Sequence, residues 1–354
     1  MLNNRLFING FSLFFVGLLV TSCFSDSEVS KEEVADFEEV INIYSDRHYP
    51  IDDTIYKRFE ETHNIKVNLV KGKSEDLLAR IEKEGDATKA DLLITADVGR
   101  LYQAKSADLF QAVKHPEGID KVNNYLYDQD GYWFGITKRA RVIVYDPEKV
   151  NEEELTTYED LANPEWKGRI AVRSKGNIYN QSLLASIISA NGEDAALEWV
   201  KGVVNNMARP PKGNDRDQIK FVYAGKADLA IVNTYYLGKM LFSDDPVESV
   251  AGGEMEIFFP NQEGRGAHIN VSGVGVLKAS ENVEAARKLI AYLLTPEIQE
   301  LYAQANFEFP VVDGVELHET VESWGEFKED TVQLNKIGEN NTLAIKLFDK
   351  GGWK

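Results

Sequence analysis

Short apolar runs alternate with amphipathic segments through most of the chain, and this alternation constrains the fold more than any other feature. The runs "VINIYS", "IKVNLVKG" and "ADLLITAD" are typical of buried strands, and each is followed by a segment with the apolar spacing of a helix. Strands that alternate with helices in this way predict a parallel sheet whose two faces are covered by helices.

A second series of the same kind begins near "YWFGITKRARVIVYDP". Residues that favour helix ends mark several borders: one helix starts at Ser74 and stops before Gly85, and another has Thr295 as its cap and Pro296 in its first turn. A chain of 354 residues is long enough for two such units. The sequence therefore predicts two α/β lobes of similar size with ligand space between them.

The first residues have the pattern of an export signal. Arg5 is followed by an apolar stretch that is shorter than the roughly 20 residues a membrane-spanning helix needs. The stretch ends in "LVTSC", which resembles a lipobox, where the cysteine is lipidated and becomes the first residue of the mature protein. Cys23 is the only cysteine, so no internal disulfide can form. We predict a lipoprotein signal peptide over residues 1–22, lipidation of Cys23 and an acidic tether over residues 23–37.

Charge and motifs exclude several classes of function. The formal net charge is −19, with 58 acidic against 39 basic residues, and no basic face stands out, so we predict no nucleic-acid partner. The sequence contains no GxxxxGK[ST], HExxH, GxSxG or CxxC motif, and its five histidines show no zinc-like spacing. The sequence therefore predicts a protein that is not an enzyme.

Tyrosines are placed where a ligand would be expected. Tyr49 follows the first strand, Tyr179 lies in a polar turn that leads into a helix, and Tyr235 and Tyr236 follow the apolar run "ADLAIV". A single tyrosine is usually a partly buried ring with its hydroxyl in water, and spacing alone does not show that these four converge. If they do, several phenols would lose protons near neutral pH only to a strongly polarising cation. Ferric iron fits such donors better than zinc, copper or calcium.

Several long motifs resemble one family, the ferric-ion-binding proteins of bacterial iron(III) ABC uptake systems, which include the cyanobacterial iron-binding proteins. The resemblance spans nearly all of the mature chain and rests on "IYSDRHYP", "DLLITADVGRL", "FGITKRARVIVYDP", "NPEWKGRIAVRSKGNIYNQSL", "NTYYLGKM" and "HINVSGVGVLK". It implies an α/β type II periplasmic binding protein fold, in which two lobes joined by a hinge close over a ligand in the cleft between them.

The resemblance also implies a set of site residues. Tyr49, Tyr179, Tyr235 and Tyr236 match the iron-ligating tyrosines of the family. His48 stays open, because a histidine at this place ligates iron in some members and not in others. Donors to the phenolate oxygens are expected from three arginines: Arg47, Arg100 and Arg141. Remaining iron positions are filled in some relatives by carbonate or another anion, and water can also fill them.

Lobe limits and partners follow from the same resemblance. We expect an N-terminal lobe over residues 38–133 and 268–312, a C-terminal lobe over residues 139–265 and 313–354, and hinge strands in "KRARVIVY" and "GAHINVSG". The expected protein is a monomer that is anchored to a membrane by lipid on Cys23, faces the periplasm or the exterior, and delivers Fe(3+) to an ABC permease and its ATPase. The alternative is a binding protein of the same fold for a small organic ligand such as a polyamine, thiamine or a phosphonate.

Overall fold

The computed structural model describes residues 37–354. The predicted signal peptide, the lipidation site Cys23 and the tether up to residue 36 lie outside the described residues, so those assignments stay predictions. Within residues 37–354, no helix is both long enough and apolar enough to cross a membrane.

The strands join into one hydrogen-bonded sheet. Within the described residues they are β1 (Glu39–Ser45), β2 (Ile65–Lys71), β3 (Leu92–Thr95), β4 (Phe134–Tyr145), β5 (Ile170–Ala171), β6 (Leu229–Asn233), β7 (Glu256–Phe258) and β8 (Ile269–Val276). Their order across the sheet is β2-β1-β3-β8-β4-β6-β5, and β7 pairs with β4 beside this path.

Helices lie in the connections between these strands and also follow the last strand, β8. Within the same residues they are α1 (Pro50–His63), α2 (Ser74–Glu84), α3 (Val98–Ser106), α4 (Ile178–Asn206), α5 (Asp215–Tyr223), α6 (Thr234–Leu241), α7 (Pro246–Glu254), α8 (Val283–Leu293), α9 (Pro296–Asn306), α10 (Glu319–Glu322) and α11 (Leu334–Gly351). The predicted helix borders are confirmed: α2 begins at Ser74 and is followed by Gly85, and α9 has Thr295 at its N-cap and Pro296 in its first turn.

The prediction of a parallel sheet is only partly correct. The pairs β1–β2, β1–β3 and β5–β6 are parallel, as expected for strands joined through helices. The pairs β3–β8, β4–β8, β4–β6 and β4–β7 are antiparallel. The difference arises because β4 and β8 are long strands that run side by side through the middle of the sheet rather than following the strand–helix–strand pattern.

Strand β4 connects two halves of the sheet. Its residues 134–140 pair with β8, whereas residues 141–145 pair with β6. We call β2, β1, β3 and β8 the first sheet half, and β6, β5 and β7 the second sheet half. At the point where β4 changes its partner from β8 to β6, the Tyr158 hydroxyl donates to the Arg141 carbonyl and accepts from the backbone N–H of His268 at 3.0 Å. All twelve residues of β4 are buried, so the connection between the halves lies in the core.

The C-terminal helix α11 packs against helices that belong to both halves. The Asn335 side chain accepts from the indole N–H of Trp133 at 3.1 Å, and Asn340 donates to the Ser189 hydroxyl in α4 at 2.8 Å. Gly338 lies so close to α3 that a Cβ there would be 2.2 Å from the Cβ of Tyr102. The predicted lobe limits, which assign this segment to the C-terminal lobe, stay a prediction.

Candidate functional site

The four predicted tyrosines lie at the beginnings of helices that follow strands. Tyr49 directly precedes α1, and its extended conformation (φ −88°, ψ 133°) is the one that a following proline favours, here Pro50. Tyr179 is the second residue of α4, whose first turn is capped by the Asn177 side chain accepting from the backbone N–H of Asn180. Tyr235 and Tyr236 lie in the first turn of α6, directly after β6.

The structure brings these four side chains together. The Tyr235 hydroxyl donates to the Tyr179 hydroxyl at 3.3 Å. The rings of Tyr49 and Tyr235 meet edge to face with their centroids 6.4 Å apart, and those of Tyr235 and Tyr236 are 4.3 Å apart. Tyr49 follows a strand of the first sheet half, whereas the other three tyrosines precede or follow segments of the second. The cluster therefore spans both halves.

The surroundings of the cluster keep its phenols protonated in the absence of a cation. Burial raises the pKa of Tyr235 well above its ordinary value, and the nearby Tyr179, Tyr236 and Tyr49 raise it further. Burial likewise raises the pKa of Tyr49 and of Tyr179, and neighbouring tyrosines add to both shifts. The pKa of Tyr236 is raised by burial and then by the charge of Asp215. A cation must therefore be strongly polarising to bind several of these oxygens as phenolates.

Guanidinium groups surround the rings. The centre of the Arg47 guanidinium lies 4.6 Å from the Tyr49 ring centroid, and that of Arg141 lies 6.0 Å from the Tyr179 centroid. Both arginines were predicted as donors to phenolate oxygens; their guanidinium groups lie near the rings, and that donor role stays a prediction. Arg100 was predicted as well; it pairs with Glu75, donates to Gln103 at 3.0 Å and lines one cavity with Tyr179. Its prediction as a donor to phenolate oxygens has no support in these contacts.

Three cationic side chains of the site were missed. Arg139 and Arg173 lie 5.3 and 5.8 Å from the Tyr179 ring centroid, and the Lys239 ammonium lies 3.9 Å from that of Tyr49. A signal for Arg139 was present, because side chains two apart on a strand share a face and Arg141 was already named. Burial lowers the pKa of Lys239 to about 8. The cluster of phenols therefore has more positive neighbours than its motifs suggested.

Arg47 is fixed from several sides beneath Tyr49. Its side chain is fully buried and donates to both carboxylate oxygens of Asp52 at 3.2–3.3 Å. It also donates to the Thr137 hydroxyl at 3.1 Å and to the carboxylate of Glu308 at 3.4–3.5 Å. Because these contacts occupy the donors of the guanidinium, the guanidinium group has little freedom to move relative to the Tyr49 ring.

Arg141 connects the segments that carry the other three tyrosines. Its guanidinium donates to Asn180 at 2.7 Å, next to Tyr179, and to Asn233 at 3.0 Å, just before α6. Asp215 accepts from Arg141 at 2.6 Å and also from Arg173. These bonds hold the first turns of α4 and α6 in a fixed relation, and the sequence did not indicate Asp215.

His48 lies beside the cluster without joining it. The side chain is exposed, and within the described residues no hydrogen bond or ring contact connects it to the four tyrosines. It lines a cavity of about 490 Å³ together with Tyr179. Lys73, Arg100 and Arg173 line the same cavity together with the carboxylates of Asp46 and Glu75, so its wall carries charges of both signs. A cavity of about 550 Å³ near His63 and Tyr292 shares none of these lining residues.

Other metal-binding side chains do not form an alternative centre. Within residues 37–354, no group of three or more His, Cys, Asp or Glu side chains is arranged to hold a metal ion.

Comparisons with known proteins identify the family of the chain. The family model described as "Bacterial extracellular solute-binding protein" matches residues 87–329. Iron uptake protein A1 of Synechocystis sp. is 46% identical over 356 residues, which cover 100% of this chain and 99% of that protein.

Solved structures extend the agreement to the fold. The Trichodesmium IdiA (FutA) protein, solved in complex with iron and citrate, is 45% identical with a TM-score of 0.86, and the match covers 89% of this chain and 100% of that one. A ferric binding protein from Campylobacter jejuni is 43% identical with a TM-score of 0.84 over the same shares of the two chains. The predicted type II periplasmic binding protein fold is thereby confirmed. The chain belongs to the bacterial extracellular solute-binding proteins, among their ferric-ion-binding members.

Proposed function

We propose that this protein captures ferric iron through the phenolate oxygens of Tyr49, Tyr179, Tyr235 and Tyr236 and delivers it to an ABC permease. The observation that carries the proposal is the convergence of four phenols from two sheet halves, with a 3.3 Å contact between the hydroxyls of Tyr235 and Tyr179. The printed names of similar proteins, an iron uptake protein and a ferric binding protein, support the same ligand. The protein catalyses no reaction.

Charge balance favours iron(III) over softer or less charged cations. Three or four phenolates neutralise or slightly exceed three positive charges, and hard oxygen donors suit a hard cation. Cationic groups near the rings, such as Arg47 and Arg139, would further stabilise phenolate oxygens. The same groups disfavour the alternative of a polyamine ligand, because they would repel its ammonium groups.

Positions on iron that the tyrosines leave open are assigned to an anion or to water. The cavity beside Tyr179 has three cationic side chains against two carboxylates in its wall, and it leaves room for an anion such as carbonate at this place. His48 lines the same cavity and is kept outside the proposed ligand set.

Transport then requires a position outside the cytoplasm and a partner. We assign export of the protein to residues 1–22 and its lipid anchoring to Cys23. The protein then acts as a monomer and delivers iron to a permease and its ATPase. Release of iron would follow from opening of the lobes, from protonation of the phenolates, or from reduction to iron(II), which phenolates hold more weakly.

A visible absorption titration tests the proposal. The chain from residue 23 onward, carrying Cys23→Ser to prevent lipidation, is titrated with ferric citrate. A broad phenolate-to-iron(III) band should grow to one equivalent, and Tyr235→Phe and Tyr236→Phe should each weaken and shift it, because each leaves one phenolate fewer on the iron. Tyr292→Phe is the matched control, since Tyr292 contacts Phe59 and His63 and makes no contact with the cluster. Absence of a band at saturating iron would refute iron binding by tyrosines.

A further inference from the structure

A buried carboxylate lies between the two sheet halves, beside the tyrosine cluster but not part of it. Asp97 follows β3 and is the N-cap of α3, where its side chain accepts from the backbone N–H of Gly99 at 2.7 Å. A cap of this kind needs one oxygen and is usually exposed. The Asp97 side chain is only 2% exposed, which a helix cap alone does not explain.

Three donors from other elements share the carboxylate. The Ser182 hydroxyl in α4 lies 3.0 and 3.1 Å from its two oxygens, and the Asn270 amide in β8 donates at 2.8 Å. The Arg139 guanidinium in β4 lies 3.6 Å away. Asp97 therefore connects α3, which follows a strand of the first half, with α4, which follows a strand of the second half, and with the long strands β8 and β4.

A glycine two residues after Asp97 allows the first turn of α3 to lie close to other helices. Gly99 lies in the first turn of α3, and a Cβ there would be 3.3 Å from the Ile178 side chain and 3.5 Å from that of Asn341. Ile178 begins α4, and Asn341 lies in α11. The first turn of α3 is thus packed directly against the start of the helix that carries Tyr179.

We propose that Asp97 is a positioning residue that holds the two halves closed over bound iron through its bond with Ser182. This inference rests on the proposed function. Ser182 lies one helical turn after Tyr179, so fixing Ser182 against α3 also fixes the distance from Tyr179 to Tyr49 across the cleft. The bond joins α3 to α4, so it resists any motion that separates these two helices.

Arg139 gives Asp97 a second connection to the site. Within the described residues, its Nε and Nη1 have no hydrogen-bond partner, while its Nη2 donates to the Ala96 carbonyl. The same guanidinium lies 5.3 Å from the Tyr179 ring centroid. The carboxylate of Asp97 therefore balances the charge of an arginine that faces the phenols, and a neutral residue at position 97 would leave that arginine without its counter-ion.

The test compares two serines in the same helix. Ser182→Ala removes the bond to Asp97. Ser186→Ala removes a buried hydroxyl that donates to the Leu183 carbonyl of its own helix at 2.9 Å and accepts from Arg265 at 3.3 Å, and it makes no bond to α3. Both are measured in the chain from residue 23 onward with Cys23→Ser. The rate of iron loss to excess EDTA is followed from the decay of the visible band. We expect Ser182→Ala to lose iron about tenfold faster than Ser186→Ala, a difference of about 1.4 kcal/mol in the barrier, with the band unchanged in position.

Small-angle X-ray scattering of the same proteins gives a readout that does not depend on the iron band. We expect a larger radius of gyration for Ser182→Ala than for Ser186→Ala, and equal thermal unfolding midpoints would exclude a general loss of stability. Asp97→Asn, which retains a good helix cap, should show both effects more strongly. Equal release rates and equal scattering for the two serine variants would overturn the proposal. Absence of any band in the parent protein would refute the proposed function instead, and scattering would then decide the role of Asp97 alone.

Discussion

The hydroxyl of Tyr235 donates to the hydroxyl of Tyr179 at 3.3 Å, although the two residues are 56 positions apart in the chain. Each belongs to the first turn of its own helix, and Arg141 bonds to the residue next to Tyr179 and to the residue before α6. Two phenols held this close oppose each other's ionisation, because a second phenolate would form beside the first. A trivalent cation between the oxygens removes that opposition.

Replacing Tyr179 should therefore weaken iron binding more than replacing any residue that only surrounds the cluster. Loss of second-layer partners of a metal ligand typically costs about 10–100-fold in affinity, and loss of the ligand itself should exceed this. We expect Tyr179→Phe to weaken iron binding at least about a hundredfold, measured by competition with citrate. Tyr292→Phe should bind as the parent protein does, and a Tyr179→Phe protein that also does so would remove Tyr179 from the ligand set.

Iron affinity should fall as pH falls. Burial raises the pKa of all four tyrosines above their ordinary value, so each is protonated in the metal-free protein at neutral pH. Each phenol that binds iron as a phenolate then releases one proton. A lower pH supplies more of the protons that compete with iron for the phenolate oxygens. With four phenolates, log affinity would fall by up to about four for each pH unit.

Proton release measured in weakly buffered solution checks this number. The parent protein should release about one more proton per iron than Tyr236→Phe does, since one phenol fewer is available. Using the difference between the two proteins cancels protons exchanged by the citrate. Equal proton release from both would mean that Tyr236 stays protonated when iron binds.

The buried guanidinium under Tyr49 should matter for stability as well as for binding. Arg47→Met would leave the carboxylates of Asp52 and Glu308 buried without their partner, and breaking a buried pair in this way typically costs about 3–5 kcal/mol. Arg58→Met is the control, because the Arg58–Glu297 pair is exposed and such pairs contribute about 0–1 kcal/mol. Urea unfolding of the iron-free proteins measures both, and equal losses would show that the Arg47 network adds no stability.

Local rules singled out the four tyrosines as candidates, whereas their assignment as iron ligands came from the resemblance of their motifs to one family and stays a prediction. Strand ends, Pro50 and the helix starts mark the positions at which a side chain can reach a cleft, and these features need no knowledge of distant contacts. The helix borders at Ser74 and Thr295 were predictable for the same reason.

Contacts between distant segments were not predictable from such rules. Asp215 lies at the beginning of an ordinary amphipathic helix, and only the fold places it against Arg141 and Arg173. The antiparallel pairs of β4 and β8 were missed because the alternation of strands and helices says nothing about a strand that returns from another part of the chain. Arg100 was assigned to the site from its motif, whereas its side chain turns to Glu75.

His48 is the residue whose role the motifs left open, and the structure supports a specific expectation for it. Its side chain is exposed and lines the cavity beside Tyr179 rather than contacting the phenols. We therefore expect His48→Ala to keep the visible band at the same wavelength and to bind iron within about tenfold of the parent protein, an effect no larger than that of a second-layer partner. The measurement is the same ferric citrate titration, carried out beside Tyr49→Phe, which changes the adjacent residue and should weaken binding much more. A shifted band or a loss beyond a hundredfold in His48→Ala would place the imidazole on the iron, and this would require the loop between β1 and α1 to turn inward when the ion binds.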